Sequence, residues 1–425
     1  MLSLADRQLQ QRETVIKLGP LFDTSVVTDT LRKAWPDLEI QRVRANYLRY
    51  KPLTSCLVRY DVITAFGQEI MYVNAYDANA PEKLEKALEV AQLETHCKTL
   101  EDENLVLHRF PNDSKLKKIR VFENVEERQV LLQKVLPDWQ DSILNVLAYK
   151  PQRRLAAKVS HGDKNAVLKF YTKSSFAGAK LKAKMVAEQS TVEHAKLIGR
   201  SSSYAVLAFD WQDGTLLRAA LLDPSFNMNV MKNVGATLAD LHMHRLELPS
   251  RSRQNEEHRL QNLVTYLSWL QPALKARLDK ILSHILTDLK NTSEHTVTLH
   301  GDFYSKQILL QGEKVVLLDF DEACLGDAAF DLGLFAAHLE ADAMRGFLSP
   351  SSLERTRDAF LQGYEEAAKT LPSTVTLYTV IGMLSLLPHF FRNRHQDWPQ
   401  LMDAFLTRIE RHVQSEKTRA YAVPL

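Results

Sequence analysis

Two segments about one hundred residues apart repeat one another, and this constrains the fold more than any other feature of the chain. Leu31-Arg-Lys-Ala-Trp-Pro-Asp37 resembles Leu132-Gln-Lys-Val-Leu-Pro-Asp138, and each precedes an apolar run ending in the same tripeptide, Tyr50-Lys51-Pro52 or Tyr149-Lys150-Pro151. A hairpin return follows both: residues 55–62 and 69–76 in the first copy, 155–160 and 166–171 in the second. A helical stretch (81–100 or 180–199) and another apolar strand (104–110 or 203–211) complete each copy. The order strand, strand, strand, helix, strand therefore occurs twice, and matched order and spacing point to duplication.

Beyond the second copy the periodicity changes. Leu260, Leu263, Val264, Leu267 and Leu270 recur at three- and four-residue steps, as do Val230, Val234, Leu238 and Leu241, which predicts helices with one buried face each. Residues 370–391 carry no Lys, Arg, Asp or Glu, which is long enough for a membrane span. Pro372, Pro388 and the interspersed Ser and Thr favour a buried core helix instead.

At 425 residues the chain suits two or three domains. Lys and Arg (54) nearly balance Asp and Glu (52), so no global field would draw nucleic acid or an anionic membrane, and a small soluble partner is expected. Cys56, Cys97 and Cys324 are far apart and odd in number, which argues against a disulfide framework or a zinc site. The N-terminus, with Asp6, Arg7, Arg12 and Glu13, does not read as a secretory signal, and a cytoplasmic location is expected.

The chemistry concentrates near residue 300. Val297-Thr-Leu-His300-Gly301-Asp302 reads as a strand entering a polar loop, Gln307-Ile-Leu-Leu310 as the strand leaving it, and Lys314-Val-Val-Leu-Leu-Asp319-Phe-Asp321 as a second strand ending abruptly in carboxylates. Asp302, Gln307 and Asp319 thus come to neighbouring loop ends. Phosphoryl transfer needs a carboxylate to take the acceptor proton and hard oxygen ligands to hold magnesium against phosphates.

This run resembles the catalytic and metal loops of the aminoglycoside phosphotransferase and choline kinase superfamily. Gly326-Asp327, with Asp331-Leu332 beyond it, resembles the family's next signature, whose first Asp braces the catalytic loop. Gly235-Ala-Thr-Leu-Ala-Asp-Leu-His242 resembles the helix after its hinge. The resemblance implies an α+β, bilobal protein-kinase-like fold: a β-rich small lobe at residues 129–215 and a helical lobe at 216–425, with ATP and magnesium between them. Residues 1–128 would be an N-terminal α+β cap, a degenerate copy of the small lobe. By the same resemblance Asp302 is the catalytic base, Asp319 the main magnesium ligand and Gln307 the second. Most members carry Asn at that last position, whereas maltokinase-like sugar kinases often carry Gln and an N-terminal cap.

Lys169, in Val167-Leu168-Lys169-Phe170-Tyr171, is the expected phosphate cation, with Glu188 as its helix partner and Glu193 as the alternative. The matching position of the first copy is Asn74, which carries no charge. No GxGxxG loop joins the first strands of the second copy, where Lys150-Pro-Gln-Arg-Arg154 stands instead, and Val206 to Trp211 resembles the hinge strand. The expected reaction is ATP- and magnesium-dependent transfer of phosphate to a hydroxyl of a small molecule, a sugar or related polyol first. An aminoglycoside-type kinase is one alternative. From Glu340 onward ten acidic residues face ten basic ones, without the acidic excess a polycationic acceptor would favour. A catalytically impaired nucleotide-binding pseudokinase is the other.

Overall fold

A computed structural model describes residues 2–77, 85, 96–100, 103–292 and 296–421. The chain divides into two compact units, one formed by Met1–Ala177, Ile198–Phe209 and His389–Pro399, the other by Gly178–Leu197, Asp210–Pro388 and Gln400–Leu425.

The first unit holds two sheets of five strands. One comprises β1 (Ile40–Lys51), β2 (Ser55–Thr64), β3 (Gly67–Tyr76), β4 (Cys97–Leu100) and β5 (Leu105–Arg109), in the order β1-β2-β3-β5-β4. The other comprises β6 (Ile143–Lys150), β7 (Arg154–His161), β8 (Lys164–Tyr171), β9 (Leu197–Ser201) and β10 (Val206–Asp210), in the equivalent order β6-β7-β8-β10-β9. Register agrees as well as order. Asn74 faces Leu57 and Tyr76 faces Ser55 in the first sheet, where Lys169 faces Ala156 and Tyr171 faces Arg154 in the second. The turns match: Leu53 (φ 53°) and Gln152 (φ 60°) take the left-handed conformation after the shared tripeptide. Asn104 (φ 52°) and Ala205 (φ 53°) do so where their carbonyls accept from the amides of Tyr76 and Tyr171. Each sheet is preceded by an 11-residue helix with a side-chain cap, Thr24–Ala34 behind Asp23 and Val125–Val135 behind Asn124.

Alternation explains the second sheet. Leu155, Ala157 and Val159 of β7 and Ala166, Leu168 and Phe170 of β8 turn inward onto Leu131, Leu132 and Val135 of the capped helix. The first sheet is instead buried on both faces over Met71–Ala75. Tyr72 meets Tyr149 of the second copy edge-to-face at 6.5 Å, and Asn74 lies on the same side of β3, so the second copy closes that face. Asp113, in the connection, accepts from the Tyr149 hydroxyl and the Gln152 amide, both at 2.7 Å, and pins the β6–β7 turn. Asp6 pins the far segment, accepting from Arg394 at 2.8 and 3.1 Å and from the Trp398 indole at 3.3 Å.

Two expectations need correction. The helix expected over 180–199 runs Lys173–Gln189, and Gly199 lies in β9, a strand absent from the periodicity reading because only Ser201 of its five residues is buried. Gly199 is required there, since a Cβ would lie 1.9 Å from the Val135 carbonyl oxygen. The helix expected over 81–100 lies largely outside the described residues, and its end, Cys97–Leu100, is strand β4.

The second unit is mainly helical. Met228–Met243 packs on Pro350–Ala368, and Ala329–Met344 on Val375–Leu386. Two small sheets lie among the helices: β11 (Thr215–Leu216), β13 (Ile308–Gln311) and β14 (Lys314–Leu317) in one, β12 (Thr296–Leu299) and β15 (Cys324–Asp327) in the other. The uncharged stretch forms the Val375–Leu386 helix and the short Pro388–Arg392 helix, and 72% of the window Val375–Arg392 is buried, as expected of core helices.

The first helix pair crosses at glycines. A Cβ on Gly235 would lie 2.1 Å from the Phe360 carbonyl oxygen, and one on Gly363 2.1 Å from that of Lys232. Because backbone cannot yield as a side-chain tip can, Gly235→Ala is expected to destabilise the protein by about 1–3 kcal/mol. Gly178→Ala, whose Cβ meets nothing within 4 Å, is the control and should be neutral or slightly stabilising in denaturant unfolding.

Candidate active site

Strand β12 delivers His300-Gly301-Asp302, and β14 delivers Leu318 and Asp319, with β15 returning beside β12 so that Leu299 faces Cys324. Local hydrogen bonds lock the two loops together. The amide of Asp302 donates to His300 Nδ1 (3.3 Å), which leaves the His300 proton on Nε2, where it donates to the Leu318 carbonyl at 2.8 Å. The Leu318 amide in turn donates to the main-chain carbonyl of Gln307 at 2.8 Å. Gly301 (φ 80°) permits the closest approach, since a Cβ would lie 2.1 Å from the Glu322 carbonyl oxygen.

Asp331 anchors this arrangement. It is fully buried at the start of the Ala329–Met344 helix. Its Oδ2 accepts from the His300 amide at 2.7 Å and its Oδ1 from the Gly301 amide at 3.0 Å. His242 Nε2 lies 3.3 Å from Oδ2, while His242 Nδ1 meets the Tyr364 hydroxyl at 3.0 Å. The brace expected at Asp327 is thus Asp331. Asp327 accepts from the Ala329 amide at 2.9 Å, at the entry to the same helix. Spacing alone cannot tell which of two carboxylates a turn apart points inward.

Gln307 Nε2 donates to Asp302 Oδ2 at 3.2 Å, so these two residues meet directly. This turns the Gln307 carbonyl into the end of the amide that can face a cation. Asp319 takes the left-handed conformation (φ 62°, ψ 66°), unusual for a residue with a side chain, at the sharp exit from β14. An aspartate carboxylate and an amide carbonyl are hard oxygen donors, the set that suits magnesium, an ion that keeps waters and phosphate oxygens for its remaining positions.

Lys169 projects from β8 on the side opposite Leu168 and Phe170, with its ammonium 5.2 Å from the Phe209 ring centroid. Glu188 lies 3.7 Å from Lys184 one helical turn earlier, both about half exposed, and Glu193 pairs with Lys314 at 2.9 Å. The same helix supplies a residue the sequence reading passed over: Lys182 Nζ donates to the Asp321 carbonyl at 2.7 Å, tying the helix to the Asp319 loop. Nothing in a lysine-rich helix sequence marks which lysine does this.

Comparison with known proteins places the chain in a family. Residues 158–373, just over half of the chain, match the model of the phosphotransferase enzyme family, APH. Among solved structures, two thermostable mutants of aminoglycoside phosphotransferase APH(4)-Ia are each 14% identical. They cover 67% of this chain and 98% of theirs, with TM-scores of 0.50. One is a ternary complex with ADP and hygromycin B, the other with AMP-PNP and hygromycin B. A choline kinase from Cryptosporidium parvum is 12% identical, covering 70% of this chain and 98% of its own, with a TM-score of 0.49. No curated protein sequence matches the chain. The fold class is accordingly α+β and protein-kinase-like.

Removing the anchor tests its role. Asp331→Ala would strand the His300 and Gly301 amides and His242 in a dry interior, at an expected cost on the order of 2–5 kcal/mol in denaturant unfolding. Asp327→Ala removes the hydrogen bond to the Ala329 amide and should cost about 1 kcal/mol. Equal costs would mean that Asp331 does not hold the loop.

Proposed function

The chain belongs to the phosphotransferase enzyme family, and from that premise we propose that it transfers the γ-phosphoryl group of ATP to a hydroxyl of a small molecule, a sugar or related polyol. The observation that carries this reading is the direct contact of Asp302 with Gln307, on a loop tied to the Asp319 loop through His300 and Leu318. That arrangement offers one carboxylate for a proton and two oxygen donors for a metal.

In the proposed step the acceptor oxygen attacks the γ-phosphorus and the bond from that phosphorus to the β,γ-bridging oxygen breaks. ADP leaves with the electron pair, and the hydroxyl proton passes to Asp302. Asp319 and Gln307 would hold magnesium, which when bound neutralises charge on the phosphate oxygens. Lys169 supplies the cation for the nucleotide phosphates. Asn74 holds its position in the first copy, so residues 1–128 act as a cap and not as a second nucleotide-binding lobe. The sugar preference rests on Gln307 in place of Asn together with that cap.

Screening ATP consumption over sugars, amino sugars, choline-like alcohols and aminoglycosides, with product mass, tests the reading. Asp302→Asn is expected to lower turnover by about 10²–10⁴-fold while ATP binding persists. A variant that kept most of its turnover would remove Asp302 from the role of base. Asp319→Ala should abolish magnesium-dependent ATP binding in calorimetry, whereas Gln307→Asn, which keeps an amide oxygen, should retain it. Lys169→Met should reduce turnover heavily and Asn74→Ala should leave the chemical step unchanged. Similar losses at both positions would end the distinction between working and decayed copy.

A further inference from the structure

One face of the Lys173–Gln189 helix docks on the loop that carries Asp319. Lys182, Met185, Val186 and Gln189 stand at the spacing of a single helical stripe. Met185 and Val186 are buried together with Ala323 and Leu325, and Phe320 packs against the same cluster. At one end of the stripe Lys182 Nζ donates to the Asp321 carbonyl at 2.7 Å; at the other the Gln189 side chain accepts from the Glu247 amide at 3.0 Å. Glu188, the helix's one carboxylate, comes six positions after Lys182 and so lies about 120° round the helix from it. There it is half exposed and meets Lys184 at 3.7 Å. The charged group on the docked face is therefore an ammonium and not a carboxylate.

The place where that ammonium lands bears on Asp319. A left-handed backbone at a residue with a side chain is costly and persists only where its surroundings fix it. On the entering side main-chain bonds do so, from the Leu317 amide to the Glu193 carbonyl and from the Leu318 amide to that of Gln307, both at 2.8 Å. On the leaving side stands the single turn Phe320–Glu322, closed by the Ala323 amide on the Phe320 carbonyl at 3.0 Å, with the Phe320 ring 4.7 Å from that of His300. Lys182 binds the middle of this turn, two residues past Asp319. A hydrogen bond from an ionised donor is roughly twice as strong as a neutral one. It also brings a positive charge to Asp319-Phe320-Asp321-Glu322, three carboxylates in four residues that repel one another.

We infer that Lys182 is a positioning residue for the metal: by fixing the turn after Asp319 it sets the direction in which that carboxylate meets magnesium. The helix then bears on the reaction through the metal loop. The inference rests on the phosphotransferase reading, in which Asp319 is a magnesium ligand, and adds a residue that touches neither metal nor substrate.

The test uses the full chain and needs no acceptor. ATP binding is followed by calorimetry over a series of magnesium concentrations for wild type, Lys182→Met, Lys182→Arg and Lys184→Met, the last on the exposed side of the same helix. Lys182→Met should raise the magnesium needed for half-maximal ATP binding by about 10- to 100-fold. Lys182→Arg, which keeps a charged donor, should recover most of that loss, and Lys184→Met should match wild type. General damage to the fold would lower the binding stoichiometry without moving the midpoint. Amide exchange in magnesium-free protein gives a second readout: the Ala323 amide should exchange about ten-fold faster or more in Lys182→Met, and the His300 amide at the wild-type rate. An unchanged midpoint in Lys182→Met overturns the inference, even with faster Ala323 exchange, and leaves Lys182 a structural tie. A shift produced by Glu188→Gln and not by Lys182→Met overturns it as well. Wild type that binds ATP without any dependence on magnesium removes the metal role of Asp319 itself, so failure of the phosphotransferase reading shows in wild type and failure of this inference alone shows only in the variant.

Discussion

The catalytic loop depends on a single buried carboxylate. Asp331 lies out of reach of water, a placement that is costly for a charge unless donors replace the solvent it loses. Two consecutive amides and a histidine do so. Because those amides belong to His300 and Gly301, the carboxylate sets the direction in which the chain leaves β12. His300 then passes the constraint to the Asp319 loop through the Leu318 carbonyl. Asp302 and Asp319, on separate loops, are thereby positioned by one helix terminus and one imidazole. A site on loops gains the accuracy of a site on rigid elements only through supporting contacts of this kind.

The duplicated sheets show how one module can serve two ends. Strand order, register and left-handed turn positions agree between them, so the backbone is not what separates the copies. What separates them is the far face of the sheet. In the second copy that face carries Lys169, partly exposed; in the first it carries Tyr72 and Asn74, closed off by Tyr149. A lysine at position 74 would be a buried cation without water, and an asparagine there is the cheaper occupant. Loss of the charge and closure of the face are two aspects of one change.

Legibility in the sequence followed the range of the interaction. The repeat, the core stripes around Leu238 and Leu267, and the loops carrying Asp302 and Asp319 were readable because each is written in a short run with its own period or spacing. The edge strands β4 and β9 were missed because edges bury little and so carry little alternation. Asp327 and Asp331 both stand near the helix start, and only the fold decides which of them points at His300. The tie from Lys182 to the Asp321 carbonyl spans 139 residues and has no local signature.

Charge acts locally in this fold. Ten acidic residues against ten basic ones beyond Glu340 suggested an even field, yet electrostatic influence at physiological salt fades over about 8 Å. What an acceptor senses is therefore the local set and not the tally. Around Asp342 that set draws Arg218 from the short Leu217–Ala220 helix, and Asp342 and Arg345 from the end of a helix more than a hundred residues further on. A near-neutral chain can thus gather two guanidinium groups around one buried carboxylate.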